Sequence, residues 1–346
     1  MEAVLLQLTS HITQSGYGSD LAAAARGASM LDPGAEQAAE VAKLWWFFFS
    51  ICTAVFVGVI VATVLSVWRG RGHQSAAMPP PAVEKEPRRD QGLVFGVSSA
   101  VTLTILLLFV LLVRDFFTDR VLGTPSAPDA LTIRLTGHQW WWDVEYEDLL
   151  PHNVFNTANE IHLPAGRHVQ LQLQSSDVIH SFWVPSLSGK KDLVPGHPTA
   201  MWLKADRPGV YYGQCAEFCG YQHANMKLIV FVDTPENFAA WQAAQRNPAP
   251  EPTTDRQRHG REVFLSRTCV MCHSIPGTTA GSRVGPTLGG LASRRTLGAG
   301  ALANTTEHLR RWIVDPQSLK PGVRMPQNEL PSEDIDALVD YLQTLK

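Results

Sequence analysis

The densest chemistry in this sequence lies between Gly213 and Met226, Gly-Gln-Cys-Ala-Glu-Phe-Cys-Gly-Tyr-Gln-His-Ala-Asn-Met. Two thiols (Cys215 and Cys219), an imidazole (His223) and a thioether (Met226) fall close together there. Soft sulfur ligands with imidazole favour copper over magnesium, calcium or manganese. The Cys-x-x-x-Cys pair alone equally suits a disulfide or half of a zinc site. The added thioether, a poor zinc ligand, turns the reading to copper. One copper needs a single cysteine, whereas two cysteines at this spacing can bridge two coppers. Such a centre needs a second imidazole, and Val178-Ile179-His180-Ser181-Phe182-Trp183 supplies His180 at a loop near a strand end. Cys52 stands alone in an apolar run and reads as a small apolar core residue.

A second constellation, Cys269-Val270-Met271-Cys272-His273, is the pattern of covalent haem c attachment. Two thiols spaced by two residues on a helix add to the haem vinyl groups, and the adjacent histidine becomes an axial ligand. The motif alone also suits a thiol redox pair or a zinc knuckle. A helical lead-in, Asp255–Arg267, favours the haem. So does Met325, which sits between Arg324 and Pro326 in a loop before a last helix, Ser332–Leu345. Met271, inside the motif, is too close to be the sixth ligand, so Met325 takes that place. Gly285-Pro286-Thr287-Leu288 resembles the loop that supports the axial histidine of small c-type cytochromes. His/Met ligation raises the haem potential, which suits donation to copper.

These residues need scaffolds, and the chain of 346 residues has room for two or three domains. Its charged fraction of 18% is low and 45% of residues are hydrophobic, which fits membrane attachment. A net charge of -3 gives no reason to expect nucleic acid. No charge occurs from Leu44 to Trp68 or from Gln91 to Val113. Each run is long enough to cross the roughly 30 Å apolar layer as a helix, and Trp45, Trp46 and Trp68 flank the first as interfacial aromatics do. The intervening loop, 69–90, carries Arg69, Arg71, Lys85, Arg88 and Arg89. The positive-inside rule puts that loop in the cytoplasm and everything after Arg114 outside. Residues 1–43 form an external segment in which no basic n-region or cleavage site is read.

Residues 131–234 alternate in strand fashion between Gly, Pro and Asn signals: Leu131–Thr136, Trp140–Glu147, His168–Gln174, Thr199–Ala205, Val210–Gln214 and Lys227–Asp233. Such spacing predicts an all-β sandwich or barrel. A short helix over Glu236–Gln245 follows, capped by Thr234 with Pro235 in its first turn. The proline-rich stretch 246–254 is a stiff spacer. The expected division is an external segment 1–43, a transmembrane hairpin 44–113, a copper domain 114–245, the linker 246–254 and an all-α haem domain 255–346.

The Cys-x-x-x-Cys-x-x-x-His-x-x-Met loop with its upstream His-Ser-Phe-Trp resembles the dinuclear CuA site of cytochrome c oxidase subunit II. The resemblance implies a multidomain membrane protein: a two-helix hairpin, a cupredoxin-like Greek-key domain and a fused class I cytochrome c domain. It implies that Cys215 and Cys219 bridge the coppers, that His180 and His223 each bind one, and that Met226 is a weak axial ligand. Glu217 would offer its backbone carbonyl, and its side chain would face a magnesium site shared with subunit I. Gly137-His138-Gln139-Trp140-Trp141-Trp142 is similar to the family segment that lies over the copper and receives electrons. By that match Trp140 is where electrons enter, while His138 reads as structural. Trp141 replaces a usual tyrosine, and His197 stands where the family often has arginine. The second span lacks the common Glu-x-x-Trp, for which Glu86 and Asp90 are weak substitutes.

The function implied is that of a wire. An external donor, cytochrome c or a quinol-oxidising complex, reduces haem c, and CuA passes the electron to haem a of subunit I in a bacterial inner membrane. Subunit I, with subunit III beside it, would reduce oxygen to water and pump protons. Neither span here contains a histidine, so this chain alone should not consume oxygen. The alternative is the CuA and haem c electron-accepting subunit of a nitric oxide reductase, which two spans and a near-complete motif disfavour. A quinol oxidase would have lost the copper ligands. A free-standing tethered carrier would not need the subunit I contact segments.

Overall fold

The computed structural model describes residues 29–71, 91–123 and 129–346. Most of the external segment (1–28) and the loop charges Lys85, Glu86, Arg88, Arg89 and Asp90 lie outside the described residues. The chain divides into two compact units, residues 40–123 and the remainder.

The first unit consists of two long helices, α1 (Glu36–Arg71) and α2 (Gln91–Leu122). At 1.5 Å per residue each is longer than the roughly 30 Å needed to cross an apolar layer. Their most apolar stretches have no buried residue. Phe56, Val59, Leu103 and Phe109 point outward, an arrangement that lipid rather than water favours. The hydroxyls of Ser50, Thr63, Ser66 and Thr104 donate to carbonyls one turn earlier, which satisfies these four groups within their own helices. Cys52 is exposed on α1 and not in a protein core as its sequence context suggested. The apolar run that surrounds it faces outward.

The second unit begins with a sandwich of two five-stranded sheets. One sheet contains β1 (Leu131–His138), β2 (Trp141–Tyr146), β3 (Phe155–Ala158), β5 (His168–Ser175) and β8 (Thr199–Lys204). The other contains β4 (Glu160–Pro164), β6 (His180–Trp183), β7 (Lys191–Leu193), β9 (Gly209–Cys215) and β10 (Lys227–Asp233). Strict alternation in β1 sends Leu131, Ile133 and Leu135 inward, where they meet Trp142, Leu171 and Leu173 in one core. The short strands β3, β4, β6 and β7 carry no alternation long enough to read from sequence. Trp140 lies in the turn before β2, one residue outside the strand expected to contain it. Residues 29–35 strap onto this sandwich: the Gly34 N–H donates to the Ser186 carbonyl at 2.7 Å, and Ala35 bridges Ala205.

Helix α3 (Pro235–Arg246) is capped by the Thr234 hydroxyl as expected. Beyond the spacer, α4 (Asp255–Ser266) opens with a capping box between Thr254 and Gln257. Helices α5 (Thr306–Val314), α6 (Pro316–Leu319) and α7 (Ser332–Leu342) complete a helical bundle over a separate core. Helices α4 and α7 cross so closely that a Cβ on Gly260 would stand 2.0 Å from the Ala337 carbonyl oxygen. Gly260→Ala should therefore push the two helices apart and destabilise the helical region by about 1–3 kcal/mol. Thermal unfolding followed by far-ultraviolet circular dichroism would register a lowered Tm; an unchanged Tm would show that the crossing tolerates the methyl.

Candidate functional site

Strand pairing brings the sulfur ligands and the distant histidine together. Strands β6 and β9 run antiparallel with Phe182 opposite Cys215. This sets His180, the first residue of β6 rather than a loop residue, beside the end of β9. The loop from Cys215 to Met226 then folds back and is closed by the Cys215 N–H on the Met226 carbonyl at 2.9 Å. The Cys215 and Cys219 sulfurs are 3.8 Å apart. His180 Nδ1 lies 3.9 Å from the Cys215 sulfur and His223 Nδ1 3.5 Å from that of Cys219. The Met226 sulfur is 3.8 Å from Cys219, and the Glu217 carbonyl oxygen is 3.2 Å from Cys215. The structure thus gathers all six expected groups about one point, with His180, Cys215, Cys219 and Met226 buried. The Glu217 carboxylate turns the other way, to the surface, where it pairs with Lys190 at 3.4 Å.

The surroundings prepare these groups for metal. His180 Nε2 donates to Asp177 at 2.8 Å, which leaves the Nδ1 lone pair facing the sulfurs. Asp177 also accepts the N–H groups of Gln139 and Val178. Burial works against its charge, but these bonds, led by that from His180, hold its carboxyl down at about 2. Burial likewise disfavours charge on His180, but the contacts with Asp177 and Cys215 together outweigh it, so the imidazole pKa is raised. The Cys219 sulfur holds the Cys215 thiol far below the ordinary range, while that same contact and burial push Cys219 up. Without metal the pair keeps one proton, which copper would displace. Gly137 allows the ring its place, since a Cβ there would stand 2.7 Å from His180 Cδ2.

The second site is a cavity of about 220 Å³ bordered by Cys269, Cys272, His273 and Met325. The expected helix at Cys269–Cys272 is instead a 3₁₀ turn over Thr268–Met271. In a 3₁₀ turn residues i and i+3 eclipse, which puts both thiols on one side. His273 Nδ1 donates to the Pro286 carbonyl at 2.7 Å, so Nε2 is the free ligand atom, and burial keeps the ring neutral. Gly285 permits that approach, because a Cβ would lie 2.8 Å from His273 Cε1. The Met325 loop is pinned by Gln317 Nε2, which donates to the Val323 and Met325 carbonyls. Arg294 is buried and donates through Nη2 to Thr287 and Gly289, yet its Nε has no partner. That orphaned cationic donor beside an apolar cavity fits an anionic edge such as a haem propionate. The donor sets therefore fit both groups.

The two sites share a wall. Trp140 and Trp141 border the same cavity as His273 and Met325. The Trp140 Nε1–H donates to the carbonyl of Cys219 at 2.9 Å. His138 stacks on Trp141 at 4.4 Å and accepts or donates at Ser176, a packing role. Sequence reasoning missed Asp177, Arg294 and Lys320, none of which stands in a recognisable short motif, and it named Gly137 in the tryptophan motif without seeing that it makes room for His180.

Comparison with known proteins completes the assignment. The chain is 34% identical over 303 residues to cytochrome c oxidase subunit 2 of Alkalihalophilus pseudofirmus, covering 86% of this chain and 85% of that one. This chain belongs to the cytochrome c oxidase subunit 2 family. The subunit of Bacillus sp. (strain PS3) is 32% identical over 260 residues, covering 70% and 72% of the two chains. A family model described as cytochrome c oxidase subunit II, periplasmic domain, matches residues 150–232, and one described as cytochrome c matches 257–346. The crystal structure of the periplasmic domain of subunit II from Bradyrhizobium japonicum aligns at 33% identity. It covers 35% of this chain and 96% of that one, with a TM-score of 0.33.

As a cytochrome c oxidase subunit 2, the chain is a membrane protein with a periplasmic domain, takes in electrons and partners subunit I. Its two matched domains imply CuA copper and haem. Loss of the carboxylate behind the first histidine should weaken copper: Asp177→Asn is expected to cut copper affinity about 10- to 100-fold, read by competition with a chelator. The metal-free protein gives a second check. Because the Asp177 pKa is lowered from 3.8 to about 2, its contribution to stability is complete above the first value and lost as pH falls through the second. The stability gap between native and Asp177→Asn protein should therefore close on acidification across that window.

Proposed function

We propose that this subunit carries electrons from an external donor through haem c and CuA to haem a of subunit I, in an inner membrane where oxygen reduction is coupled to proton pumping. In this reading residues 114–245 hold copper through His180, Cys215, Glu217, Cys219, His223 and Met226. Residues 255–346 hold haem through Cys269, Cys272, His273 and Met325. The bound groups supply one-electron couples; the protein supplies their spacing, their ligand tautomers and a dry path. The observation that carries the proposal is the Trp140 contact, a ring on the haem cavity whose N–H ends on a carbonyl of the copper loop. Trp140 is only 8% exposed, which supports delivery by the donor to the haem domain and not directly to the tryptophan. That donor is cytochrome c or a quinol-oxidising complex. The outward carboxylate of Glu217 supports a magnesium site completed by subunit I, with subunit III as a further neighbour.

Trp140→Phe keeps an aromatic ring and removes the N–H bond. In the assembled oxidase it should slow haem c to CuA transfer by about tenfold, the equivalent of about 1.4 kcal/mol in barrier, with the copper spectrum unchanged. A native rate in stopped-flow measurement would move the path away from this residue.

A further inference from the structure

Lys320 joins the haem domain to the sandwich in an unusual way. It follows α6 and precedes Met325 by five residues, and its side chain is 1% exposed. Its ammonium donates to three backbone carbonyls: Trp140 at 2.8 Å, Asn225 at 2.7 Å and Gly298 at 2.7 Å. The first belongs to the tryptophan turn, the second to the copper loop next to Met226, and the third to the haem domain. An ammonium has three N–H donors, so all are used. No carboxylate is among the partners. Burying a cation against neutral carbonyls alone is costly, and burial draws its pKa down to about 7. What that cost secures is position: one ammonium gives a donor to carbonyls on three separate backbone segments, which would otherwise be left without one.

Neighbouring contacts point the same way. The Gly322 backbone packs on the Trp140 ring, where a Cβ would lie 3.4 Å from Cη2. The Lys227 N–H donates to the Ala299 carbonyl at 2.9 Å. At the rim, Arg283 pairs with Asp143 at 2.8 Å and Glu145 at 2.7 Å.

We propose that Lys320 is a positioning residue that fixes the Met325 loop against Trp140 and the copper loop and so sets the rate of electron transfer between the two centres. The proposal rests on the electron path described above. Its test compares native and Lys320→Met oxidase, assembled with copper and haem, by two measurements. One is the rate of haem c to CuA transfer after rapid reduction; the other is hydrogen exchange in residues 137–142 and 296–303. Lys320→Met should slow transfer by about tenfold or more and raise exchange in both segments, while haem absorption and copper EPR keep their native form. If that variant does not assemble, Lys320→Gln takes its place; it keeps a neutral donor and should slow transfer severalfold. A native rate with native exchange in the variant tested overturns the proposal, as does slowing accompanied by an altered copper or haem spectrum. No haem c to CuA transfer in the native enzyme would sink the underlying path instead.

Discussion

The antiparallel register of β6 on β9, with Phe182 opposite Cys215, is the constraint on which the copper site depends. The four residues from Cys215 to Met226 that offer side chains are local in sequence and need only a folded loop. His180 is thirty-five positions away from Cys215 and reaches the sulfurs only because its strand is hydrogen-bonded to theirs. A one-residue slip of this pairing would turn His180 to the opposite face. The buried core between the sheets, which includes Phe182, Val184 and Leu228, makes such a slip costly. Asp177 then fixes the tautomer of a ring whose place the backbone has already set.

The haem side repeats the logic with a different scaffold. A backbone carbonyl, Pro286, selects the tautomer of His273, as a carboxylate does for His180. In both cases the remote nitrogen is occupied by a hydrogen bond, and the near one is left as a lone pair toward the cofactor. Glycine makes each approach feasible, Gly137 under His180 and Gly285 under His273. Between the sites stands Trp140, held by its indole N–H on Cys219 and by its own carbonyl on Lys320. These contacts tie the Trp140 turn to the copper loop on one side and to the haem domain on the other.

Much of this was legible in the sequence because the relevant signals are short and chemically dense. Uncharged runs marked α1 and α2, six alternating segments marked long strands, and two cysteine motifs marked the sites. The strands β3, β4, β6 and β7 are three to five residues long, too short for alternation to announce them. The turn at Thr268–Met271 read as helix because the two geometries share i, i+3 proximity. Cys52 read as a core residue because composition does not distinguish a lipid-facing surface from a protein interior. Asp177, Arg294 and Lys320 escaped notice for another reason: each acts through a contact made only after distant segments have met. A lysine carries no sequence mark of burial.

The central claim is that one loop and one distant histidine build a two-copper centre, and EPR of the copper-loaded full chain tests it most directly. The account predicts a hyperfine pattern from one unpaired electron shared equally by two coppers, lost when Cys215 or Cys219 becomes serine. A signal confined to a single copper in the native protein would contradict it.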